Sequence, residues 1–235
     1  MNSRPLNLSK LKGKVIAIDG PAGAGKSTTA KALAERLGYI YHDTGAMYRA
    51  LTWFALQNGI PPFDETSLTQ VARKVPLEFK PTDGVNRVFF NGIDVTEAIR
   101  TPEVTRDVSE VAAHPGVREA MVARQREISR KGSIVAEGRD TTTVVFPNAD
   151  FKIYLDATVR ERAQRRLLEL TRKGFTTTLE EQEADIRRRD KYDSNRAHSP
   201  LKQAKDAFVV DTTNLSIDEQ VDRILTLILK SLKTS

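Results

Sequence analysis

A glycine-rich nonapeptide between a buried strand and a helix constrains this chain more than any other feature. Residues 20–28 read Gly-Pro-Ala-Gly-Ala-Gly-Lys-Ser-Thr and directly follow the apolar run Val-Ile-Ala-Ile at 15–18. The pattern G-x-x-x-x-G-K-[ST] in that position is typical of a phosphate-binding loop. Its glycines let backbone N–H groups approach phosphate oxygens, and the following helix directs its positive end at them. The sequence therefore predicts a nucleoside triphosphate site.

The residues of this loop have separate predicted roles. Lys26 places a positive charge beside the β- and γ-phosphates, and the Ser27 hydroxyl can ligate Mg²⁺. We find no apolar run ending in aspartate of the kind that completes the metal site of GTPases and helicases, so the remaining protein ligands stay open, with Asp140 as one candidate. The predicted ATP-binding residues are Gly20, Pro21, Ala22, Gly23, Ala24, Gly25, Lys26, Ser27 and Thr28.

The charge of the chain leaves two classes of partner open. The net charge of +6 fits either a nucleic-acid surface or a cleft for polyphosphate substrates. The basic residues recur inside motif-like segments, at 48–49, 138–140 and 187–189, which favours small substrates. The 235 residues contain no cysteine and no apolar run that approaches a membrane span, and residues 1–14 lack the apolar region of a secretory signal. We expect a cytoplasmic enzyme without disulfides.

The apolar runs alternate with helical patterns. Strands are predicted at 15–18, 39–41, 134–136, 151–155 and 208–210, and their lack of polar alternation is typical of a parallel sheet covered on both faces. Ser216 and Glu219 predict a capping box that opens the last helix. Between 75 and 95, Asp83-Gly84 and Asn91-Gly92 separate alternating strands and predict a small antiparallel meander. The pattern predicts a doubly wound α/β fold with one inserted lobe.

Three further segments form a possible second site. Residues 43–49, Asp-Thr-Gly-Ala-Met-Tyr-Arg, follow the second strand and combine a helix cap with an arginine, although a capped surface helix explains them equally well. Residues 137–140, Glu-Gly-Arg-Asp, follow the third strand at an edge where open sheets bind ligands. Arg189, Asp193 and Arg196 recur at helical spacing and are predicted to share one face.

Together these motifs resemble the bacterial-type cytidylate kinases of the nucleoside monophosphate kinase group. The resemblance covers residues 14–230 and implies one kinase domain over 1–235, with a P-loop three-layer α/β/α core around a five-stranded parallel sheet. It implies a core at about 14–42, 119–164 and 179–235, a monophosphate-binding lobe containing the small antiparallel sheet at 43–118, and a short lid at 165–178. The matching segments are 19–28, 43–49, 117–120, 138–140 with 143–147, and 189–196.

The resemblance also implies roles for individual residues. The acceptor phosphate would be held by Arg49, Arg139 and Arg196 with the Thr44 hydroxyl. Lys26 and Arg139 would act in catalysis together with the lid arginines, whereas other arginines of that helix would lie on the surface. The remaining implied substrate contacts are Arg189 and Asp193 for the ribose, Tyr48 lining the pocket, and Ser109, Arg118 and Asp140 for the base; the lid arginines are Arg165 and Arg166, and the surface arginines are Arg160 and Arg162.

The expected activity is transfer of the ATP γ-phosphoryl group to CMP or dCMP with Mg²⁺, giving ADP and CDP or dCDP in pyrimidine nucleotide metabolism. We expect a monomer without nucleic-acid or membrane partners. Another kinase of the same fold, acting on UMP, dTMP or shikimate, is the closest alternative. A regulatory or nucleic-acid-binding ATPase is a more distant one, because the chain lacks the Asn-Lys-x-Asp motif and the helicase acidic box.

Overall fold

The computed structural model describes residues 11–82 and 85–234, so the predicted turn at Asp83-Gly84 lies outside the described residues. Strands and helices alternate through most of the chain. In order they are β1 (Val15–Asp19), α1 (Lys26–Leu37), β2 (Ile40–Asp43), α2 (Thr44–Gln57), α3 (Glu65–Lys74), β3 (Leu77–Thr82), β4 (Val85–Phe90), β5 (Ile93–Asp94), α4 (Pro102–Val111), α5 (Pro115–Ile128), β6 (Ile134–Gly138), β7 (Phe151–Asp156), α6 (Val159–Arg172), α7 (Leu179–Asn195), β8 (Phe208–Asp211) and α8 (Ile217–Thr234).

The predicted parallel sheet is confirmed, with five strands in the order β2-β6-β1-β7-β8. The ends of neighbouring strands lie opposite each other: Asp19 of β1 is opposite Gly138 of β6, and Asp43 of β2 is opposite Glu137 of β6. The carboxyl ends of β1, β2 and β6 therefore reach the same edge together. The second strand was predicted to end at residue 41, but pairing with β6 carries it on to Asp43.

Helices cover both faces of this sheet. Ile16 and Ile18 belong to a buried cluster with apolar residues of α1 and α8, whereas Ala17, between them, packs with residues of α5 and of the π-helical turn Thr141–Val145. This alternation explains why β1 has no polar face. The predicted capping box of α8 is confirmed, because the Ser216 N–H donates to Glu219 at 2.8 Å and the Glu219 N–H donates to the Ser216 hydroxyl at 3.3 Å.

Residues between β2 and β6 form a lobe with its own apolar core. The core is built by α2, α3, α4, α5 and the predicted meander, which is confirmed as the three-stranded antiparallel sheet β3-β4-β5. The Asn86 amide donates to the Tyr41 carbonyl at 3.1 Å, and the Phe79 ring packs edge-on against His42 at 5.3 Å. Through these contacts, the small antiparallel sheet packs against β2, the edge strand of the parallel sheet.

Helices α6 and α7 follow β7 in the chain and pack against each other. The predicted lid, 165–178, corresponds to the last turns of α6 and the connection 173–178, in which Gly174 has φ +81°. The predicted lobe boundary at 118 falls inside α5, so this helix belongs to both regions. Among the described residues, no helix combines the length and the apolar character needed to span a membrane.

Candidate nucleotide-binding and active site

A cavity of about 720 Å³ opens at the carboxyl edge of the sheet. The phosphate loop forms one side of it, and α2, α4, α5, α7 and the end of β6 form the other. All ten predicted acceptor-site residues and both predicted lid arginines line it, although they come from six separate stretches of chain. These residues are Thr44, Tyr48, Arg49, Ser109, Arg118, Arg139, Asp140, Arg165, Arg166, Arg189, Asp193 and Arg196.

The phosphate loop places Lys26 and Ser27 in the first turn of α1. Lys26 is only 5% exposed, and its Nζ donates to the Pro21 carbonyl at 2.8 Å. Burial, followed by the positive charge of Arg139, lowers the pKa of Lys26 to about 7. The Ser27 hydroxyl donates to Glu137 Oε1 at 2.7 Å. The loop and the end of β6 therefore present a buried amine and a hydroxyl–carboxylate pair on the cavity side.

Glu137 is the acidic residue that the sequence analysis missed. It ends the apolar run at 134–136 on β6, the strand next to β1, and its side chain is buried beside Ser27. Burial, followed by repulsion from Asp43, raises the pKa of Glu137. Carboxylate and hydroxyl oxygens are the hard donors that Mg²⁺ prefers. The apolar run before Glu137 is visible in the sequence, but the expected pattern ends in aspartate and Glu137 does not match it.

Asp140, the earlier candidate metal ligand, contacts Arg118 instead of Ser27. Its carboxylate is thus neutralised within the opposite half of the cavity. The described part of the chain contains no group of three or more His, Asp or Glu side chains placed to hold a metal ion by themselves. The pair Ser27 and Glu137 fits a Mg²⁺ ion whose other ligands are phosphate oxygens and water.

Asp43 organises the start of α2. Its carboxylate caps the helix by accepting from the Ala46 N–H at 2.8 Å, and it also accepts from Arg49 at 3.2 Å and from Arg100 at 2.9 Å. Burial alone would raise its pKa, but the two guanidinium groups outweigh burial and hold the pKa of Asp43 well below its usual range. Two positive groups from different elements therefore meet at one point. Arg100 lies in no motif, so the sequence analysis did not find it.

The Thr44 hydroxyl donates to the Glu137 carbonyl at 2.7 Å. This contact brings the start of α2 against the end of β6. A Cβ on Gly138 would lie 2.5 Å from the Thr44 hydroxyl and 2.4 Å from the Thr141 hydroxyl, so only glycine fits there. The glycine of the 137–140 segment is thus required for close packing between the two strand ends.

Arg139 and α7 meet across the cavity. The Arg139 Nε donates to Asp193 at 2.9 Å. Burial, followed by the charge of Arg139, lowers the pKa of Arg189 to about 10, and the Arg189 Nε has no hydrogen-bond partner among the described residues. Such a cluster of guanidinium groups is suited to an anion. The Arg196 side chain also reaches the cavity, but it follows the end of α7 in an extended conformation and does not lie on the predicted helix face.

The remaining polar residues form a buried group at the far end of the cavity. Arg118 is 4% exposed, donates to the Ala112 carbonyl at 3.0 Å and is hydrogen-bonded to Asp140. Its guanidinium carbon lies 5.3 Å from the centre of the Tyr48 ring, and burial raises the pKa of Tyr48 to about 12. Arg196 approaches Asp140 to 4.0 Å. This end offers a carboxylate acceptor and guanidinium donors side by side.

The predicted lid arginines Arg165 and Arg166 both line the cavity from α6. Arg165 donates to the Thr212 carbonyl at 2.6 Å and to the Glu161 carboxylate at 2.9 Å. Arg166 reaches from α6 to the Thr105 hydroxyl on α4 at 3.4 Å. Arg160 is exposed as predicted, but Arg162 was wrongly placed on the surface. Its guanidinium is buried, because carbonyl groups and a carboxylate compensate the charge.

A parallel sheet whose phosphate loop faces an arginine-lined pocket defines a P-loop kinase of small phosphorylated molecules. The family model of cytidylate kinase matches residues 16–230. A cytidylate kinase from Anoxybacillus flavithermus is 54% identical over 213 residues, which are 91% of this chain and 95% of that protein. The chain belongs to the cytidylate kinase family.

A second relative agrees with this assignment, and a solved structure shares the fold. A cytidylate kinase from Bacillus cytotoxicus is 52% identical over 218 residues, which are 93% of this chain and 97% of that protein. Among solved structures, an uncharacterized protein from Eubacterium ventriosum aligns with a TM-score of 0.50 at 13% identity. That alignment covers 92% of this chain and 98% of the other, and it supports the fold alone.

Proposed function

We propose that the protein transfers the γ-phosphoryl group of ATP to CMP and dCMP, giving ADP and the corresponding diphosphate. The observation that carries the proposal is the convergence of Arg49, Arg100 and Arg139 opposite the phosphate loop within one cavity. Two polyanions must approach each other there, and their repulsion has to be offset before an acceptor oxygen reaches the γ-phosphorus. Membership of the cytidylate kinase family supports CMP as the acceptor.

Catalysis in this proposal consists of positioning and charge neutralisation. Lys26 contacts the β- and γ-phosphates, and Arg165 and Arg166 close over ATP as part of a lid. The acceptor is a phosphate oxygen that is already anionic near neutral pH, so no residue acts as a general base. Mg²⁺, when bound by Ser27 and Glu137, would supply further positive charge next to the transferred group.

The acceptor phosphate lies between Arg49, Arg139 and Arg196 in this proposal, with Arg100 as an additional contact. The carboxylate of Asp43 holds Arg49 and Arg100 in the absence of substrate. A phosphate offers each guanidinium two charge-assisted hydrogen bonds, so it can replace or share these contacts without a change of fold. Arg189 and Asp193 face the ribose.

Base selection is assigned to Asp140 with Arg118 and Ser109. A carboxylate accepts from the N4 amino group of cytosine, and a guanidinium or hydroxyl satisfies the N3 and O2 acceptors. Uracil presents an O4 acceptor to the same carboxylate, which leaves two buried acceptors opposed and costs about 2–3 kcal/mol. Strong preference for CMP and dCMP over UMP is the expected consequence.

The direct test is ADP production from ATP with each nucleoside monophosphate, and with shikimate, offered in turn. CMP and dCMP should support turnover, and UMP should be poorer by about a hundredfold in kcat/KM. Arg139→Gln should reduce kcat/KM for CMP by about a hundredfold or more, whereas Arg160→Gln, which changes an exposed arginine, should leave it unchanged. Equal use of UMP and CMP, or turnover with shikimate alone, would contradict the proposal.

The metal assignment has its own test. Glu137→Gln keeps the size of the side chain and removes its charge, so half-saturation by Mg²⁺ should move to about tenfold higher concentration. The exposed Glu180→Gln serves as control. An unchanged Mg²⁺ dependence in Glu137→Gln would separate this residue from the metal.

We also propose a cytoplasmic monomer without a nucleic-acid partner. Nine arginines of the described residues line the cavity, including Arg172, so much of the positive charge is concentrated where two nucleotides would bind. The expected results are a single species of about 26.2 kDa in sedimentation and no salt-sensitive retention on single-stranded DNA. Retention without CMP-stimulated ATP use would favour a nucleic-acid-dependent ATPase.

A further inference from the structure

Arg162 contacts three separate parts of the catalytic core without lining the cavity. It lies in the first turn of α6, where its own N–H donates to the Thr158 carbonyl. Its side chain turns away from solvent and is 5% exposed. A guanidinium is rarely buried unless its donors have defined partners.

The partners of Arg162 come from three different parts of the fold. Its Nε donates to the Ala157 carbonyl at 2.9 Å, just beyond the end of β7. Its Nη1 donates to the Ala22 carbonyl of the phosphate loop at 3.0 Å and lies 2.7 Å from Asp190 on α7. One planar guanidinium thus connects the phosphate loop to α7, and its fixed fork allows little independent movement of the groups that it joins.

The backbone of α6 also lies directly against the loop. A Cβ built on Gly23 would be 2.9 Å from the Arg162 Cβ and 3.1 Å from the Arg162 carbonyl oxygen. The loop is therefore in van der Waals contact with this turn of α6 as well as hydrogen-bonded to its side chain. Arg162 therefore contacts the loop through both its backbone and its side chain.

On α7, Asp190 stands among the residues of the acceptor half. Arg189 is its neighbour in sequence, and Asp193, one turn later, accepts from Arg139. The second carboxylate oxygen of Asp190 is buried and has no partner within the described residues. Arg162 consequently provides the principal compensation for this carboxylate and helps to set the position of α7 relative to the phosphate loop.

We propose that Arg162 is a positioning residue that couples the two nucleotide sites through Asp190. The inference rests on the proposed function and concerns the same cavity. When ATP fills the phosphate loop, Ala22 and Arg162 hold α7 in the position in which Arg189 and Asp193 engage the acceptor. CMP should therefore bind more tightly to the ATP-loaded protein than to the free protein, by about tenfold.

The test measures the CMP dissociation constant by calorimetry with and without a non-hydrolysable ATP analogue and Mg²⁺. In Arg162→Lys, the single ammonium nitrogen cannot occupy the positions of both Nε and Nη1, and the rigid fork that fixes Asp190 relative to the phosphate loop is lost. The tenfold ratio should therefore fall to about twofold. Asp190→Asn should lower the ratio to a similar value. The double variant should have the same ratio as the single variants, because both changes break one interaction. Arg160→Lys, an exposed change on the same helix, should keep the full ratio.

Binding of each ligand alone separates coupling from loss of structure. In each variant, the dissociation constants for CMP alone and for the ATP analogue alone should change by less than about threefold. Thermal unfolding shows whether each variant is folded, and Asp190→Asn carries the test if Arg162→Lys is unstable. The inference is overturned if folded Arg162→Lys or Asp190→Asn still binds CMP tenfold more tightly in the presence of the ATP analogue. It is also overturned if a variant binds both ligands more weakly to the same extent while this ratio stays at ten. Absence of CMP phosphorylation by the unmodified protein would instead refute the proposed function, whereas turnover with a ratio of one would refute the coupling alone.

Discussion

Binding of ATP should be accompanied by uptake of a proton at Lys26. Burial and the neighbouring Arg139 lower the pKa of Lys26 to about 7, and its Nζ is satisfied by the Pro21 carbonyl. A phosphate beside this nitrogen favours the charged form and returns the pKa towards its ordinary value of 10.5. The amine thus binds more protons in the complex than in the free protein throughout the neutral to mildly alkaline range.

The size of the effect follows from the distance between the assay pH and the pKa. At pH 8, one unit above the lowered pKa, about nine tenths of Lys26 is neutral before binding and nearly all of it is charged afterwards, so uptake is about 0.9 proton. At pH 6 it is about 0.1 proton. Each unit of pH above 7 also weakens ATP binding by about 1.4 kcal/mol, or tenfold, until the pKa of the complex is reached.

Calorimetric titration with a non-hydrolysable ATP analogue measures this uptake directly. The observed enthalpy at saturating Mg²⁺ is plotted against the ionisation enthalpy of several buffers, and the slope gives the number of protons exchanged. Lys26→Arg keeps a positive charge at every pH used, so its slope should be close to zero. Zero uptake by the unmodified protein at pH 8, or equal uptake by Lys26→Arg, would refute the reasoning.

Three further perturbations test other residues. Burial lowers the pKa of His42 from 6.5 to about 4. Between these pH values the unfolded chain binds a proton at His42 that the folded protein does not bind, so the free energy of unfolding should rise by about 3 kcal/mol as the pH increases from about 4 to about 6.5. Denaturant unfolding should show this rise disappear in His42→Phe and persist in the exposed His198→Asn. Asp140→Asn should reduce the kcat/KM preference for CMP over UMP at least about tenfold, and an unchanged preference would argue against the base contact. Arg165→Ala combined with Arg166→Ala should lower kcat by about a hundredfold with little change in CMP affinity, whereas a defect confined to CMP binding would exclude a lid role.

The parts of the fold that were predicted correctly are defined by residues that are neighbours in the sequence. The phosphate loop, the cap of α8 by Ser216 and Glu219, and the turn at Asn91-Gly92 each need only a few consecutive positions to define their backbone. The β2 strand shows where such reasoning stops. The predicted strand ended at residue 41, before the polar residues His42 and Asp43, but pairing with the distant strand β6 extends β2 through both of them.

The missed parts of the site depend on contacts between distant residues. Arg100 ends a short 3₁₀ turn and has no motif around it, and only the fold brings it to Asp43. Arg162 resembles any exposed arginine of an amphipathic helix until the phosphate loop and α7 enclose it. Glu137 was the exception, because the apolar run before it was visible and a glutamate serves the same electrostatic purpose as the aspartate that was sought.

Four arginines of the acceptor half are already paired with carboxylates of the protein itself, and this pairing explains how a cavity lined by so many positive groups can fold. Several guanidinium groups brought together without counter-charges would repel each other strongly in a partly buried site. Internal carboxylates remove that penalty and hold the donors in fixed directions, so a nucleotide meets a preorganised site and pays less conformational entropy on binding. The same pairing limits affinity, because each substrate oxygen must compete with or join an existing ion pair, which suits an enzyme that releases its product every cycle. The pairs are Asp43 with Arg49 and Arg100, Asp140 with Arg118, and Asp193 with Arg139.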